Sequence, residues 1–173
     1  MSKLERLDVL ERALRHADFK ATIDLLKQSS YTSILNEQNN HGMTPLHTLC
    51  SRPLMDPDVV KQITIVLLKS GASKSLEKVD DEGYTPIHYA TLNGYLDVVK
   101  IMIENGASVL AKTNFKFTPL HNAVSSQNVK LVEYLLSTKQ CDLNAINEFN
   151  ATPLELAILH QQKEITDLLQ AAK

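Results

Sequence analysis

Four copies of one tetrapeptide constrain this chain more than any other feature. TPLH stands at Thr44–His47 and Thr118–His121, TPIH at Thr85–His88 and TPLE at Thr152–Glu155. The Thr-to-Thr intervals are 41, 33 and 34 residues, and self-similarity at such a period marks a stack of supersecondary units. Each copy leads to a second apolar block: ITIVLLKSGAS, VVKIMIENGAS, LVEYLLSTKQCD and ITDLLQAA.

Local chemistry explains why the copies start helices. Pro at the first helical position forgoes a hydrogen bond that the helix never makes, and the Thr before it caps that end. In the unit opened by Thr85, Ile87, Ala90 and Thr91 share one face at helical spacing. Gly94 permits a tight turn, and Val98, Val99, Ile101, Met102 and Ile103 then make a second helix too apolar to stand alone. Asn105, Gly106 and Ala107 end it, with Gly free to take the left-handed cap conformation. Neither helix can bury its apolar face within one unit, so the units must stack.

The period and the T-P-L-H signature before paired helices resemble the ankyrin repeat. The resemblance covers essentially the whole chain and implies an all-α solenoid of helix-turn-helix units, each preceded by a β-turn finger. Five units are expected, at approximately 4–36, 37–77, 78–110, 111–144 and 145–173, in one domain spanning 1–173. The first lacks T-P-x-H, but Ala13 aligns with Ala90 and Ala17 with Gly94, as in a degenerate capping unit. The second carries eight extra residues, six of which Asp56 and Pro57 explain by starting the second helix early. The other two fall in the loop SKSLEKVDDEG.

His47, His88 and His121 recur at one place in the unit and form a line along the stack. Equivalent groups on neighbouring helices stand about 8–10 Å apart, too far to share one metal ion. The resemblance implies that this His braces the turn by hydrogen bonding. No Ser–His–Asp, Cys–His or paired-carboxylate arrangement and no phosphate-binding loop stands apart from the repeats, so neither an enzyme nor a cofactor is expected. The stretch Leu136–Asn144 resembles sites that asparaginyl hydroxylases modify in ankyrin repeats, which makes Asn144 a candidate for hydroxylation.

Composition narrows the class of partner. Net charge is -2 and the pI near 6.3, which offers no basic excess for nucleic acid or an anionic membrane. No stretch has the apolar length of a membrane span. Cys50 and Cys141 lack any metal-ligand or disulfide-framework spacing, so a reducing, intracellular location is expected, in the cytoplasm with the nucleus also open.

In the ankyrin repeat, the finger residues around the turn and those ending the first helix line a concave groove. That implies a protein-binding face made of Met43 and Arg52 in the second unit and Asp81, Glu82, Tyr84, Leu92 and Asn93 in the third. The fourth unit adds Asn114, Phe115, Phe117, Ser125 and Ser126, and the fifth Glu148, Phe149 and His160. Two of only four phenylalanines sit in TNFKFT, in a finger. Clustered exposed aromatics mark binding sites, so Phe115 and Phe117 are expected to contribute little to the folding core. Lys116 stands where the other fingers have Gly42 and Gly83. A non-Gly residue in a left-handed turn costs about 1–2 kcal/mol, which leaves room for a differently shaped finger there. The expected function is that of a monomeric, stand-alone adaptor or inhibitor that binds another protein. The alternatives are an ankyrin module of a larger protein, such as a host-directed effector of an intracellular pathogen, and a nucleic-acid or lipid binder, which the charge opposes.

Overall fold

Every Thr-Pro pair opens a helix in the computed structural model, which describes residues 1–172. Thr44, Thr85, Thr118 and Thr152 are extended, with φ between -94° and -78° and ψ between 164° and 168°, and the Pro that follows is the first helical residue. The first unit contains α1 (Lys3–Arg15), α2 (Phe19–Leu26) and the single turn α3 (Ser29–Thr32). The next contains α4 (Pro45–Cys50) and α5 (Pro57–Lys69). Three regular pairs follow: α6 (Pro86–Leu92) with α7 (Leu96–Glu104), α8 (Pro119–Ser125) with α9 (Val129–Ser137), and α10 (Pro153–Leu159) with α11 (Lys163–Ala171). Among the described residues there is no strand.

The pairs stack in two rows. First helices run α1, α4, α6, α8, α10, each packed on the next, and second helices run α2, α5, α7, α9, α11, where α2 packs on α5, α5 on α7 and α9 on α11, and Lys100 of α7 lies over the Tyr134 ring of α9. The core lies between the rows and is continuous from Leu7 to Leu169. Polar side chains join unit to unit by reaching back to carbonyls of the unit before. Asn93 Nδ2 donates to the Cys50 carbonyl (2.7 Å), Asn122 Nδ2 to His88 (3.1 Å), Asn128 Nδ2 to Gly94 (3.0 Å) and Gln162 Nε2 to Val124 (3.0 Å). Each replaces a backbone–water hydrogen bond that stacking removes.

The irregular units keep the same plan. Ala17 takes a left-handed φ of 46°, as Gly94 does at 72°. The Asp18 N–H then donates to Ala13 (2.9 Å) just as the Tyr95 N–H donates to Ala90 (2.9 Å). In the second unit Asp56 caps α5 by accepting from the Asp58 N–H, and α5 is 13 residues long against nine in α7, α9 and α11. The loop between α4 and α5 is tied down by buried Tyr95, whose hydroxyl donates to the Arg52 carbonyl and accepts from the Met55 N–H. The remaining insertion is not featureless loop: Ala72–Ser75 form a 3-10 turn, and Ser75 Oγ donates to the Leu35 carbonyl (2.9 Å).

Candidate protein-interaction face

Each finger is built on a short polar side chain that accepts backbone N–H groups within its own turn. Asn39 Oδ1 accepts from His41 and Met43, Asp80 Oδ1 from Glu82 and Tyr84, and Asn147 Oδ1 from Phe149 and Ala151. Thr113 Oγ1 accepts from Phe117 alone. Successive fingers are joined through their backbones, from the Asp81 N–H to His41 (3.2 Å), the Asn114 N–H to Glu82 (3.0 Å) and the Glu148 N–H to Phe115 (3.0 Å). The fingertips therefore form one continuous edge.

Lys116 does not change that geometry. Its φ of 62° lies beside those of Gly42 (70°), Gly83 (79°) and Asn150 (56°), and its N–H donates to Thr113 (2.8 Å) as the Gly83 N–H donates to Asp80 (3.0 Å). The fourth finger accepts the strain and keeps the common shape. Gly83 is needed for a second reason: a Cβ there would lie 2.6 Å from the backbone N and the Oδ1 of Asn114.

The recurrent histidines hold finger to helix. In each, the backbone N–H of the capping Thr donates to Nδ1, at 3.0 Å in His47, 3.1 Å in His88 and 3.2 Å in His121. An N–H can only donate, so Nδ1 is the acceptor and Nε2–H the donor. Nε2 donates to a carbonyl at the next finger: Tyr84 for His47, Ala111 and Phe117 for His88, and Ala151 for His121. Burial depresses the pKa of all three, His88 to about 4, because a second ring proton would be desolvated and would face a donor. Glu155 does the local half of the job, its Oε2 accepting from the Thr152 N–H (2.7 Å). Glu11 occupies the same place in the first unit, which sequence inspection missed. Its carboxylate accepts from Asn39 Nδ2 (2.7 Å) and Arg15 (2.6 Å), so it too links helix to finger, and burial raises its pKa.

The anticipated binding residues divide by exposure. Asp81, Glu82, Asn114, Phe115, Glu148 and Phe149 are exposed on fingertips, and Arg52, Leu92, Ser125 and His160 are exposed where first helices end. Met43, Tyr84, Asn93, Phe117 and Ser126 are half-buried. Phe117 thus departs from expectation: its ring packs on the core, edge-on to His121 (5.7 Å) and to Phe149 (6.3 Å). Alternation along the finger turns it inward while Phe115, two residues earlier, stays 41% exposed. Tyr84 is likewise supported, stacked on Tyr89 at 4.9 Å, with the Tyr89 hydroxyl donating to Asp80 Oδ2 (2.6 Å). Phe149, 71% exposed, extends the aromatic edge into the last finger. Asn144 is exposed on the turn before that finger. Burial raises the thiol pKa of Cys50 to about 12 and of Cys141 to about 11, which keeps both protonated and inert as nucleophiles.

Two rows of stacked helices with a joined edge of fingers define a repeat solenoid, a class in which each unit contacts only its neighbours. Residues 10–113 match the family model described as ankyrin repeats in three copies, and residues 102–157 match a second ankyrin-repeat model. The chain belongs to the ankyrin-repeat family, whose repeats serve as protein-interaction modules. It is 31% identical over 145 residues to a Saccharomyces cerevisiae protein named "Probable 26S proteasome regulatory subunit p28", over 84% of this chain and 61% of that one. An ankyrin repeat protein of Rickettsia bellii is 38% identical over 97 residues, which are 56% of this chain and 38% of the relative. An ankyrin repeat protein of Variola virus is 30% identical over 113 residues, 65% of this chain and 19% of its own length. The chain thus spans less than two thirds of each of these relatives.

Proposed function

We propose that the finger edge and the exposed ends of the first helices bind a protein partner, with Phe115 and Phe149 as apolar anchors. The observation that carries this reading is the placement of two exposed phenylalanines on fingers whose backbones are hydrogen-bonded to each other, in a chain with only four. Phe149, 71% exposed, forgoes most of the about 1.5–3 kcal/mol that full burial of such a side chain gives, and Phe115, 41% exposed, a smaller share; aromatic anchors of this kind dominate interface energetics. Asp81, Glu82 and Glu148 beside them make no ion pair among the described residues. The partner surface therefore combines an apolar centre with a basic rim.

The role is that of an intracellular adaptor or inhibitor without catalysis, acting in the cytoplasm or nucleus. Among the described residues no helix is long and apolar enough to cross a membrane. The likeness to the yeast relative makes the proteasome the first assembly to test by co-sedimentation. A second reading, an interaction module within a longer protein, is favoured by the partial coverage of the relatives. The direct test is photo-cross-linking in the native cell, with a benzophenone side chain at 115, 149 or, as control, at 104 on the second-helix side. Adducts at 115 and 149 but not at 104 support the reading, and adducts confined to 104 overturn it.

A further inference from the structure

Seven residues other than glycine take a left-handed φ among the described residues, and six of them stand at turns that recur from unit to unit. Lys116 and Asn150 match Gly42 and Gly83 in the fingers, Ala17, Gln127 and Gln161 match Gly94 between paired helices, and Lys139 matches Gly106 after a second helix. The seventh is Leu54, at φ 61°, in the α4–α5 loop, which spans 51–56 where the corresponding loops of the other units hold three residues. Leu is strained in that conformation, which Gly or Asn takes more readily. Packing does not explain the choice: Leu54 is 101% exposed, whereas Met55 beside it packs on the core. The loop holds the side chain out firmly. The Tyr95 hydroxyl donates to the Arg52 carbonyl on one side of it and accepts from the Met55 N–H on the other, and Asp56 caps α5 just beyond.

We propose that Leu54 is an apolar anchor that enters a pocket on the protein partner of the groove, with a carboxylate at the pocket rim facing Arg52. Arg52, two residues before Leu54, is exposed and makes no ion pair among the described residues. Asn93 Nδ2 donates to the Cys50 carbonyl (2.7 Å), so the loop leaves the stack beside the end of α6, where Leu92 is exposed. A partner lying along the ends of the first helices therefore meets Leu54 at the opposite end of those helices from the fingers. A side chain already held in place loses little freedom on docking, which suits a rigid anchor. The inference rests on the reading that the chain binds proteins and adds a second region of contact to it. A lipid surface matches less well, because Asp56 and Asp58 are exposed close behind Leu54 and an anionic membrane repels them.

The test is photo-cross-linking of the full chain in the native cell, with a benzophenone side chain at 54 or at 115. Residue 54 should give an adduct with the same protein as residue 115. With benzophenone at 115, Leu54→Asn should cut the adduct yield about tenfold, the change that loss of one apolar contact of about 1.4 kcal/mol produces, and Leu54→Met should keep the wild-type yield. Purified Leu54→Asn should unfold at or above the wild-type midpoint, since Asn suits a left-handed φ and the exposed Leu54 has no packing to lose. A lower midpoint makes Leu54 a structural part of the loop and overturns the proposal. A yield at 115 that Leu54→Asn leaves unchanged overturns the anchor while groove binding stands. Adducts at 54 that join two copies of this chain assign the loop to self-association and also overturn it. Absence of any adduct at 54 overturns it too, and cross-linking at 115 and 149 then decides the groove separately.

Discussion

Acid should loosen the stack through its buried histidines, and His88 sets the scale. Its ring is fully buried, Nδ1 accepts from the Thr85 N–H (3.1 Å), and Nε2 donates to Ala111 and Phe117 (3.1 Å each). Burial holds its pKa at about 4, against an ordinary 6.5. The unfolded chain therefore takes up a proton as pH falls through 6.5 and the folded chain only near 4. A depressed folded pKa gives stability that is complete above the unfolded value and lost as pH falls toward the folded one. For these two values linkage gives a loss of about 2 kcal/mol at pH 5 and about 3 kcal/mol at pH 4. His47 and His121 are shifted by the same cause and add to it, whereas Glu11, raised by burial, acts in the opposite sense. Comparison of wild type with His88→Ala by urea denaturation isolates one ring. The variant should be about 1–3 kcal/mol less stable at pH 7, since the turn groups lose their partner. The gap should shrink by about 2 kcal/mol by pH 5. A gap independent of pH, or a His88 resonance titrating at 6.5 or above in the folded protein, would refute this reasoning.

Phe117→Ala should cost about 1–3 kcal/mol, below a full core truncation because the ring is half-buried, while Phe115→Ala should stay within about 0.5 kcal/mol; chemical denaturation reads both. Gly83→Ala should destabilise by more than about 2 kcal/mol, because its Cβ would overlap the backbone of Asn114 at 2.6 Å and its positive φ disfavours Ala. Hydrogen exchange should be fastest to open in residues 4–30, since contacts reach only neighbouring units and the first unit departs most from the repeat pattern; slowest exchange there would contradict its capping role.

Much of this was legible in the sequence because the repeats are local instructions written several times. Thr-Pro starts each first helix, Asp56-Pro57 starts α5, and Ala17 could be placed opposite Gly94 by counting from Ala13. Contacts between residues distant in sequence were not legible. Tyr95 reads as one more helix-entry residue until its hydroxyl is found on Arg52 and Met55, 43 and 40 positions away. Glu11 was hidden because α1 starts well before the place where Thr-Pro would stand, so the acid sits mid-helix with no motif around it. The difference between Phe115 and Phe117 depends on which way the finger turns a side chain. In TNFKFT, Lys116 obscures that by replacing the Gly that marks the other turns.

The central claim, that the exposed fingertip aromatics are there to bind a protein, is tested most directly by one double variant, Phe115→Ala with Phe149→Ala. Its unfolding stability and its affinity for the partner recovered by cross-linking at residue 115 are measured side by side. Stability should fall by no more than about 1 kcal/mol, the sum of two surface substitutions. Binding should weaken by about 2–4 kcal/mol, roughly thirtyfold to a thousandfold. A folded double variant that binds with wild-type affinity would contradict the account.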